Sequence, residues 1–378
     1  MDVLQLGISP QEFLARYWQR KPLLIRGGFR DFEPPIDSDT LAGLALEEDI
    51  ESRIIEFAAG RWQLHHGPFA VEDFRRDTPW TLLVQAVDHY LPEVEALRRS
   101  VGFIPQWRMD DVMVSYAVDG GSVGPHYDNY DVFLVQGEGR RRWRIGQTCG
   151  PQSGLLPHEE LRILEHFEQT EEYLLEPGDV LYVPPRVAHW GIAEGECTTF
   201  SIGFRAPRVN ELVCRLSDSV LESLDDQVFF TDPGRPVAAC TGEISLQDLQ
   251  LARQAVQRAL DDSSDDRWFG ELVTEPRYEM HRENWREDRD DLLAGRCAAV
   301  LAGGAKLAWL PDDRQLTVFA NGESVPSPLQ HLALLRELSD NGIIEASRLA
   351  ELARDEDAVE LLDFLLEVGC IHAERDDF

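Results

Sequence analysis

Lysine, paired cysteines and long apolar runs are scarce or missing in this 378-residue sequence. Lys21 and Lys306 are the only lysines, so arginine carries almost all of the positive charge. The cysteines are scattered without a Cys-x-x-Cys pair, which argues against a zinc site or a disulfide framework and for a reducing compartment. No apolar run could span a bilayer, and no charged start precedes an apolar segment with a cleavage site. The sequence predicts a cytoplasmic protein without a membrane partner.

Basic residues are also far fewer than acidic ones, which gives a formal net charge of −33. Such a surface repels phosphate, so we expect no direct nucleic-acid binding. It attracts a basic partner over a long range. A salt-adapted proteome would give the same acidity and the same scarcity of lysine, so the charge alone does not decide between a basic partner and a saline habitat.

The length and a hydrophobic content of 43% allow more than one domain. Several short strands separated by glycine turns, up to residue 207, fit a closed double-stranded β-helix. Residues 80–90 have the apolar spacing of an amphipathic helix. Residues 208–270 contain two further helical patterns that are too short for a core of their own. Residues 271–378 alternate short strands with helices that carry Glu and Asp where a DNA-reading helix needs Arg or Lys.

A His-x-Asp pair lies in a turn before an apolar strand. In an extended segment residues i and i+2 point the same way, so His126 and Asp128 can bind one metal ion. His189 follows a Pro-Pro turn and is a candidate third ligand. Two histidines and one carboxylate with open positions suit non-haem Fe(II), although manganese or zinc would also fit. A surface turn and a structural histidine are the alternatives.

Arg141 lies on a strand whose two faces can be separated by alternation. Arg141, Trp143 and Ile145 share one face, and this apolar face is expected to be the interior. A buried arginine needs an anionic partner, and the planar guanidinium binds a carboxylate by two hydrogen bonds. With a metal site nearby we favour a ligand carboxylate over a protein Asp or Glu.

These motifs together resemble the bacterial ribosomal-oxygenase branch of the Jumonji-C proteins, across the whole chain. The resemblance is carried by residues 126–133, 137–144, 176–185 and 201–207. It implies a mixed, mainly β fold with a Jumonji-C catalytic domain over residues 1–207. It also implies a helical dimerisation domain over 208–270 and a winged-helix-like domain over 271–378. The expected assembly is a homodimer through the helical domain, and packing of that domain against its own barrel is the alternative.

The resemblance further implies an Fe(II)- and 2-oxoglutarate-dependent dioxygenase that hydroxylates a basic ribosomal protein. The expected target is an arginine of the sixteenth protein of the large subunit. Arg141 would bind the far carboxylate of 2-oxoglutarate with help from Ser115, and oxygen is the second co-substrate. Thr199 and Ser201 face the same way on the last strand, and we assign Thr199 to 2-oxoglutarate and Ser201 to the protein substrate.

Two further residues are candidates for contact with the protein substrate. Asp111 shares a strand face with Ser115 and could meet a cationic group, or it could cap local backbone at the start of the strand. Tyr130 and Asp131 follow the candidate ligands directly and are expected at the mouth of the pocket. Tyr130 could stack on a substrate side chain by a cation–π contact, or it could serve packing alone.

Other functions remain open at the level of the sequence. The enzyme could hydroxylate a histidine in a different ribosomal protein, or it could be a demethylase. A non-enzymatic barrel that uses its helical and winged-helix modules for ribosome or DNA association is the alternative from another class. Consumption of 2-oxoglutarate distinguishes the enzymes from the binding module.

Overall fold

The computed structural model describes residues 3–262, 265–278 and 285–374. Its strands are β1 Leu23–Ile25, β2 Ser52–Ala58, β3 Arg61–His66, β4 Trp80–Val84, β5 Met109–Ala117, β6 Val132–Gln136, β7 Arg140–Thr148, β8 Glu171–Leu175, β9 Val180–Val183, β10 Val187–Glu194, β11 Cys197–Phe204, β12 Ala299–Leu301, β13 Leu307–Pro311, β14 Gln315–Ala320, β15 Glu323–Pro328, β16 Ile343–Ile344 and β17 Ile371–Ala373. Its α-helices are α1 Pro10–Arg16, α2 Ser38–Leu44, α3 Pro92–Arg99, α4 Val209–Ser223, α5 Leu246–Asp262, α6 Arg267–Thr274, α7 Trp285–Leu293, α8 Leu332–Asn341, α9 Ala346–Leu352 and α10 Glu356–Glu367.

Two sheets face each other in the N-terminal half, which confirms the predicted double-stranded β-helix. The larger sheet has the strand order β1-β9-β6-β11-β5-β4-β2-β3, and the smaller one has the order β10-β7-β8. A small cluster of buried apolar side chains lies between the two sheets, and the larger cluster covers the opposite face of the larger sheet, under α1 and α3. The site described below lies between the sheets, on strands β5, β7, β10 and β11.

The alternation predicted for β7 is confirmed. Arg141, Trp143 and Ile145 are buried, whereas Arg142 and Arg144 form ion pairs with Glu172 on the outer face. The turn before β7 depends on glycine, since Gly139 has φ 62° and a Cβ atom there would lie 2.0 Å from the backbone oxygen of Glu196. The turn therefore fixes the register that directs Arg141 inward.

The helix predicted for residues 80–90 is wrong. Residues Trp80–Val84 form strand β4, all five are buried, and a short 3₁₀ turn follows at Val87–His89. Side chains on both faces of β4 are buried, so its sequence has no polar alternation and reads as a nearly continuous apolar run. A short run of this kind does not distinguish a buried strand from a helix by periodicity.

Asp131 is also placed differently from the prediction, which put it with Tyr130 at the mouth of the pocket. Its side chain is fully buried and accepts hydrogen bonds from the Tyr182 hydroxyl at 2.5 Å and from the Gln19 amide at 3.0 Å. Arg108 lies 3.7 Å from the same carboxylate. Asp131 therefore joins the segment after α1 to the barrel, and it is a structural residue.

Helices α4 and α5 follow the barrel where the sequence predicts them. The acidic segment 261–266 begins within α5, and residues 263–264 lie outside the described residues. None of the helices in the described ranges has the length and apolarity needed to cross a membrane.

The C-terminal module has its own core, formed by helices α8, α9 and α10 on small antiparallel sheets. The predicted strands near residues 307–310 and 316–320 are present as β13 and β14. Helix α6 packs against β14, where the ring of Phe319 lies directly over Gly270. Since α6 ends at Thr274, the predicted domain boundary at residue 270 falls within this helix, and the three-domain division stays a prediction.

The module is joined to the barrel by a buried lysine. Lys306 is 3% exposed, and its ammonium donates hydrogen bonds to the backbone oxygens of Met109 and Asp110, both at 2.6 Å. Burial lowers the pKa of Lys306 to about 8. One of the two lysines of the chain thus fixes the start of β5, the strand that carries Asp111 and Ser115.

The buried Asp131 network yields a prediction for stability. Asp131→Ala should lower the free energy of unfolding by about 2–3 kcal/mol, because the Tyr182 hydroxyl and the Gln19 amide lose their buried acceptor. Urea-induced unfolding followed by fluorescence measures the change. The control is Asp313→Ala in the exposed turn after β13, which should stay within about 0.5 kcal/mol of the parent protein. Equal stabilities of the two variants would contradict the structural role of Asp131.

Candidate metal and ligand site

A backbone bridge brings two of the three predicted metal ligands together. His126 lies in the loop after β5, and His189 lies on β10. The amide of His126 donates to the carbonyl of His189 at 3.1 Å, and the amide of His189 donates to the carbonyl of His126 at 2.9 Å. Their ring centroids are 4.3 Å apart as a result. The pairing between residues distant in sequence thus places the histidines side by side.

Asp128 completes the set. Its Oδ2 is 3.5 Å from Nε2 of His189, and a potential ligand atom from each of the three residues lies within 4.8 Å of the others. The amide of Arg186 donates to the carbonyl of Asp128 at 2.6 Å, which holds this end of the loop against the turn before β10. The spacing fits one ion bound by two imidazoles and a carboxylate.

The unused nitrogens of the histidines are fixed by the backbone. Nδ1 of His126 is 2.9 Å from the carbonyl of Gly124, and Nδ1 of His189 is 3.0 Å from the carbonyl of Val187. A carbonyl only accepts, so each Nδ1 carries the proton and each Nε2 keeps a free lone pair. Burial lowers the pKa of His189 to about 4, which keeps its imidazole neutral and able to bind a metal.

Arg141 is buried, and no carboxylate of a described residue pairs with it. It is 6% exposed, and its Nη1 donates to the hydroxyl of Ser115 at 3.1 Å, while its guanidinium lies 5.8 Å from the ring centroid of Trp143. No described residue accepts a hydrogen bond from its Nε or Nη2. An unpaired buried charge is unfavourable, so this guanidinium fits an anionic ligand.

A cavity of about 410 Å³ connects the triad with Arg141. The residues predicted for the site that line it are His126, Asp128, His189, Arg141, Ser115, Asp111, Tyr130 and Ser201. Thr199 is not among the lining residues. It pairs with Ser115 in the adjoining strand, accepts from the Ser115 hydroxyl through its backbone oxygen at 3.4 Å, and lies 3.5 Å from the side-chain oxygen of Gln136.

Asp111 forms one edge of the cavity and is 4% exposed. Its Oδ2 accepts from the amide of Gln85 at 2.7 Å and lies 3.3 Å from Nη1 of Arg277. Burial, with the neighbouring Asp110, raises the pKa of Asp111 to about 6. The backbone amide at the start of β5 is capped by Asp88 instead, through its bond to Val112 at 2.7 Å.

Tyr130 lies at the mouth of the cavity with 42% of its surface exposed. The negative charge of Asp128 raises the pKa of Tyr130, so its phenol stays protonated. The ring therefore offers a neutral aromatic face and a hydroxyl donor next to the metal ligands. The contact of this ring with a substrate side chain stays a prediction.

Sequence reasoning missed several residues of the cavity. Gln85 follows β4, the strand that was predicted as a helix, and Arg53 of β2 orients it by a hydrogen bond of 3.1 Å. Arg277 comes from beyond the barrel, between α6 and α7. The apolar run before Gln85 is also compatible with a buried strand, and that interpretation would have placed Gln85 at the end of β4. No local pattern in the sequence indicates Arg277.

Fold and site together define a metal-dependent oxygenase of the Jumonji-C type. Residues 96–212 match the JmjC domain family, and residues 257–372 match the ROXA-like winged helix, which confirms the predicted winged-helix module. The ribosomal protein uL16 3-hydroxylase of Escherichia coli is 36% identical over 372 residues, which are 97% of this chain and 98% of that protein. A probable ribosomal oxygenase of Haemophilus influenzae is 33% identical over 96% of this chain and 94% of its own length.

Solved structures agree with this likeness. The Escherichia coli ribosomal oxygenase YcfD in complex with cobalt and 2-oxoglutarate superposes with a TM-score of 0.84 at 35% identity, covering 98% of this chain and all of that one. The chain belongs to the bacterial ribosomal oxygenases of the JmjC family.

The triad predicts a loss of metal affinity on substitution. His126→Ala should weaken Co²⁺ binding by about ten-fold or more, because one of the three ligand atoms is removed. Anaerobic calorimetric titration measures the dissociation constant. His166→Ala is the control, since His166 is exposed and outside the cluster. Unchanged Co²⁺ affinity in His126→Ala would exclude this residue as a ligand.

Proposed function

We propose that this protein is an Fe(II)- and 2-oxoglutarate-dependent hydroxylase that acts on an arginine side chain of a large-subunit ribosomal protein. The observation that carries the proposal is the buried guanidinium of Arg141, whose Nε and Nη2 have no partner among the described residues. It lines the same cavity as the His126–Asp128–His189 triad. A dicarboxylate that reaches from a metal ion to an arginine satisfies both.

The residues of the chain have separable roles in this proposal. His126, Asp128 and His189 would hold Fe(II). Arg141 would bind the far carboxylate of 2-oxoglutarate by a two-pronged contact, and the Ser115 hydroxyl, already 3.1 Å from Nη1, would keep the guanidinium in place. When bound, the metal and 2-oxoglutarate supply the oxidising power for inserting oxygen from O₂ into a carbon–hydrogen bond.

Thr199 has a supporting role in this proposal. Its backbone oxygen accepts from the Ser115 hydroxyl, so it would orient the serine that holds Arg141. The barrel itself would position the target carbon and exclude water. Apolar walls such as Val132 and Leu134 line the cavity on the side of β6.

The choice of arginine as the target rests on the acid edge of the cavity, by which we mean the part of its wall formed by Asp110 and Asp111. Asp110 and Asp111 both line it, and a guanidinium can form two hydrogen bonds with a carboxylate. Tyr130 offers an aromatic face to a cation, and Ser201 of β11 adds a hydroxyl on the cavity wall. A relative that spans nearly the whole chain is named for hydroxylating uL16. A neutral histidine would gain less from the two carboxylates than a guanidinium does.

The charge of the chain supports a ribosomal substrate. A net charge of −33 attracts a basic protein over a long range and raises the rate of encounter. Ribosomal proteins are basic because they bind RNA. A ribosomal substrate would also place the reaction in the cytoplasm, where the sequence predicts the protein. Direct binding of nucleic acid is not part of this proposal.

Intact-mass measurement tests the proposed function directly. The protein is combined with Fe(II), 2-oxoglutarate, oxygen and a mixture of large-subunit ribosomal proteins. We expect one protein to gain one oxygen atom on an arginine, which fragmentation would locate, because Arg141 holds the co-substrate and the acid edge holds the guanidinium. Arg141→Glu reverses the charge that binds 2-oxoglutarate and should abolish this gain while leaving Co²⁺ binding nearly intact.

The other outcomes separate the alternatives. An oxygen on a histidine would replace the proposed residue, and loss of a methyl group would indicate a demethylase. Succinate without a modified ribosomal protein would contradict the ribosomal substrate. Absence of both succinate and modification in the metal-loaded protein would favour a non-enzymatic barrel.

Helices α4 and α5 support a homodimer. Most of their apolar side chains face solvent in the single chain. The exposed apolar residues on these helices and their connection are Val209, Val213, Leu221, Leu224, Val228, Phe229, Phe230, Val237, Ile244, Leu246, Leu249 and Val256. A patch of this kind marks an interaction surface. A second copy of the chain would cover it by symmetry.

Size-exclusion chromatography with light scattering checks the dimer. The parent protein should have twice the mass of one chain, and the double variant Val213→Asp/Val256→Asp should be monomeric, because buried unpaired carboxylates disfavour the interface. Val71→Asp, at an exposed site outside these helices, is the control and should keep the dimer. A monomeric parent protein would contradict the homodimer.

A further inference from the structure

An arginine of the chain itself occupies the acid edge of the cavity. Arg277 lies between α6 and α7, outside the barrel, and lines the cavity. Its Nη1 is 3.3 Å from Oδ2 of Asp110 and 3.3 Å from Oδ2 of Asp111, and its Nη2 is 3.8 Å from Oε2 of Glu51. The three carboxylates therefore surround one guanidinium, the group that the proposed substrate would bring.

Asp111 has one oxygen engaged and one open. Its Oδ2 is shared between the Gln85 amide at 2.7 Å and Arg277. No residue in the described ranges donates a hydrogen bond to its Oδ1. Arg53 donates to the amide oxygen of Gln85 at 3.1 Å, which directs the amide nitrogen of Gln85 towards Asp111. Asp111 is thus held in place with free capacity for a second donor.

The backbone around Arg277 is anchored on both sides. Arg205 donates to the carbonyl of Glu275 at 2.7 Å. The Tyr278 hydroxyl donates to Glu51 at 2.9 Å, and the Tyr278 ring packs edge-on against His89 with centroids 5.9 Å apart. The Arg277 side chain, in contrast, is 33% exposed. A rotamer change alone moves its guanidinium into solvent, without movement of the backbone.

The energies favour an exchange of one cation for another. Without Arg277, the buried Asp111 would keep the repulsion of Asp110 and lose the one guanidinium within 3.3 Å in the described residues, which is unfavourable. Arg277 supplies that positive charge, yet a partly exposed ion pair of this kind contributes little net stability and is readily given up. A fully buried permanent partner would instead block the edge of the cavity.

We propose that Arg277 is a displaceable internal occupant of the acid edge, which holds Asp110 and Asp111 until a substrate guanidinium takes its place. This rests on the proposed function, because it takes the substrate side chain to be an arginine. Arg277 is then a positioning residue that opposes substrate binding in the ground state and has no part in the chemical step. It sets the KM for the protein substrate and leaves kcat almost unchanged.

Steady-state kinetics with the full-length, Fe(II)-loaded enzyme and the ribosomal protein that the parent enzyme hydroxylates test this. At about pH 8 Asp111 is ionised, since burial raises its pKa only to about 6. Arg277→Gln should lower KM by about two- to five-fold with kcat within about two-fold, because the internal competitor is removed. Arg277→Lys keeps the charge without the planar fork, and its KM should lie between the two.

Arg286→Gln is the matched control. It removes one positive charge from the exposed surface of α7 in the same module, away from the cavity, and should leave KM unchanged. An Arg277→Gln variant with an unchanged or higher KM would overturn the proposal. Thermal unfolding checks that each variant folds. If Arg277→Gln does not fold, the KM of Arg277→Lys is compared with that of the parent enzyme. A KM that is not lower in Arg277→Lys would then contradict the proposal. A parent enzyme that hydroxylates no arginine would contradict the proposed function itself, which is a separate result.

Discussion

Desolvation of charged groups inside the barrel is the constraint on which the site depends. Arg141 is buried between the sheets with two of its nitrogens unpartnered among the described residues, and His189 is kept neutral by the same burial. No carboxylate in the described part of the chain neutralises Arg141, although 69 residues of the sequence are acidic. Electrostatic interactions are stronger in such a dry interior than in water. The binding energy of an anionic ligand is therefore already built into the fold, and little reorganisation is needed when the ligand arrives.

The closure of the barrel and the assembly of the metal ligands are one structural event. His126 and His189 exchange both backbone hydrogen bonds, so the loop after β5 cannot dock against β10 without bringing the imidazoles together. Each Nδ1–H donates a hydrogen bond to the carbonyl two residues earlier in the chain, which is that of Gly124 for His126 and that of Val187 for His189. Each ligand is thus oriented by its own local backbone, and the long-range bridge only has to set the distance between them.

The sequence predicted the site residues whose orientation depends on a single strand. It did not predict those whose position depends on contacts with distant segments. The i, i+2 relation of His126 and Asp128 and the alternation that buries Arg141 are properties of single strands, so one sequence suffices to predict them. Gln85 follows a strand that is buried on both faces, where alternation disappears and a helix is equally compatible with the pattern. Asp131 lies three residues after a ligand and looks like a site residue, but its partners Gln19 and Tyr182 come from distant segments that no local pattern connects.

The proposed role of Arg277 gives a strongly acidic protein a way to select one side chain. Long-range attraction depends on net charge and draws any basic partner to the surface, so it cannot distinguish arginine from lysine. Discrimination requires a short-range comparison between two cations at the same carboxylates. Under the proposed exchange the reference cation is a guanidinium that reaches Asp110 and Asp111 through Nη1 and faces Glu51 with Nη2. A planar group with several donors would replace these contacts more fully than the point charge of an ammonium. On this proposal, specificity for arginine over lysine is the difference between two similar interactions made at the same carboxylates.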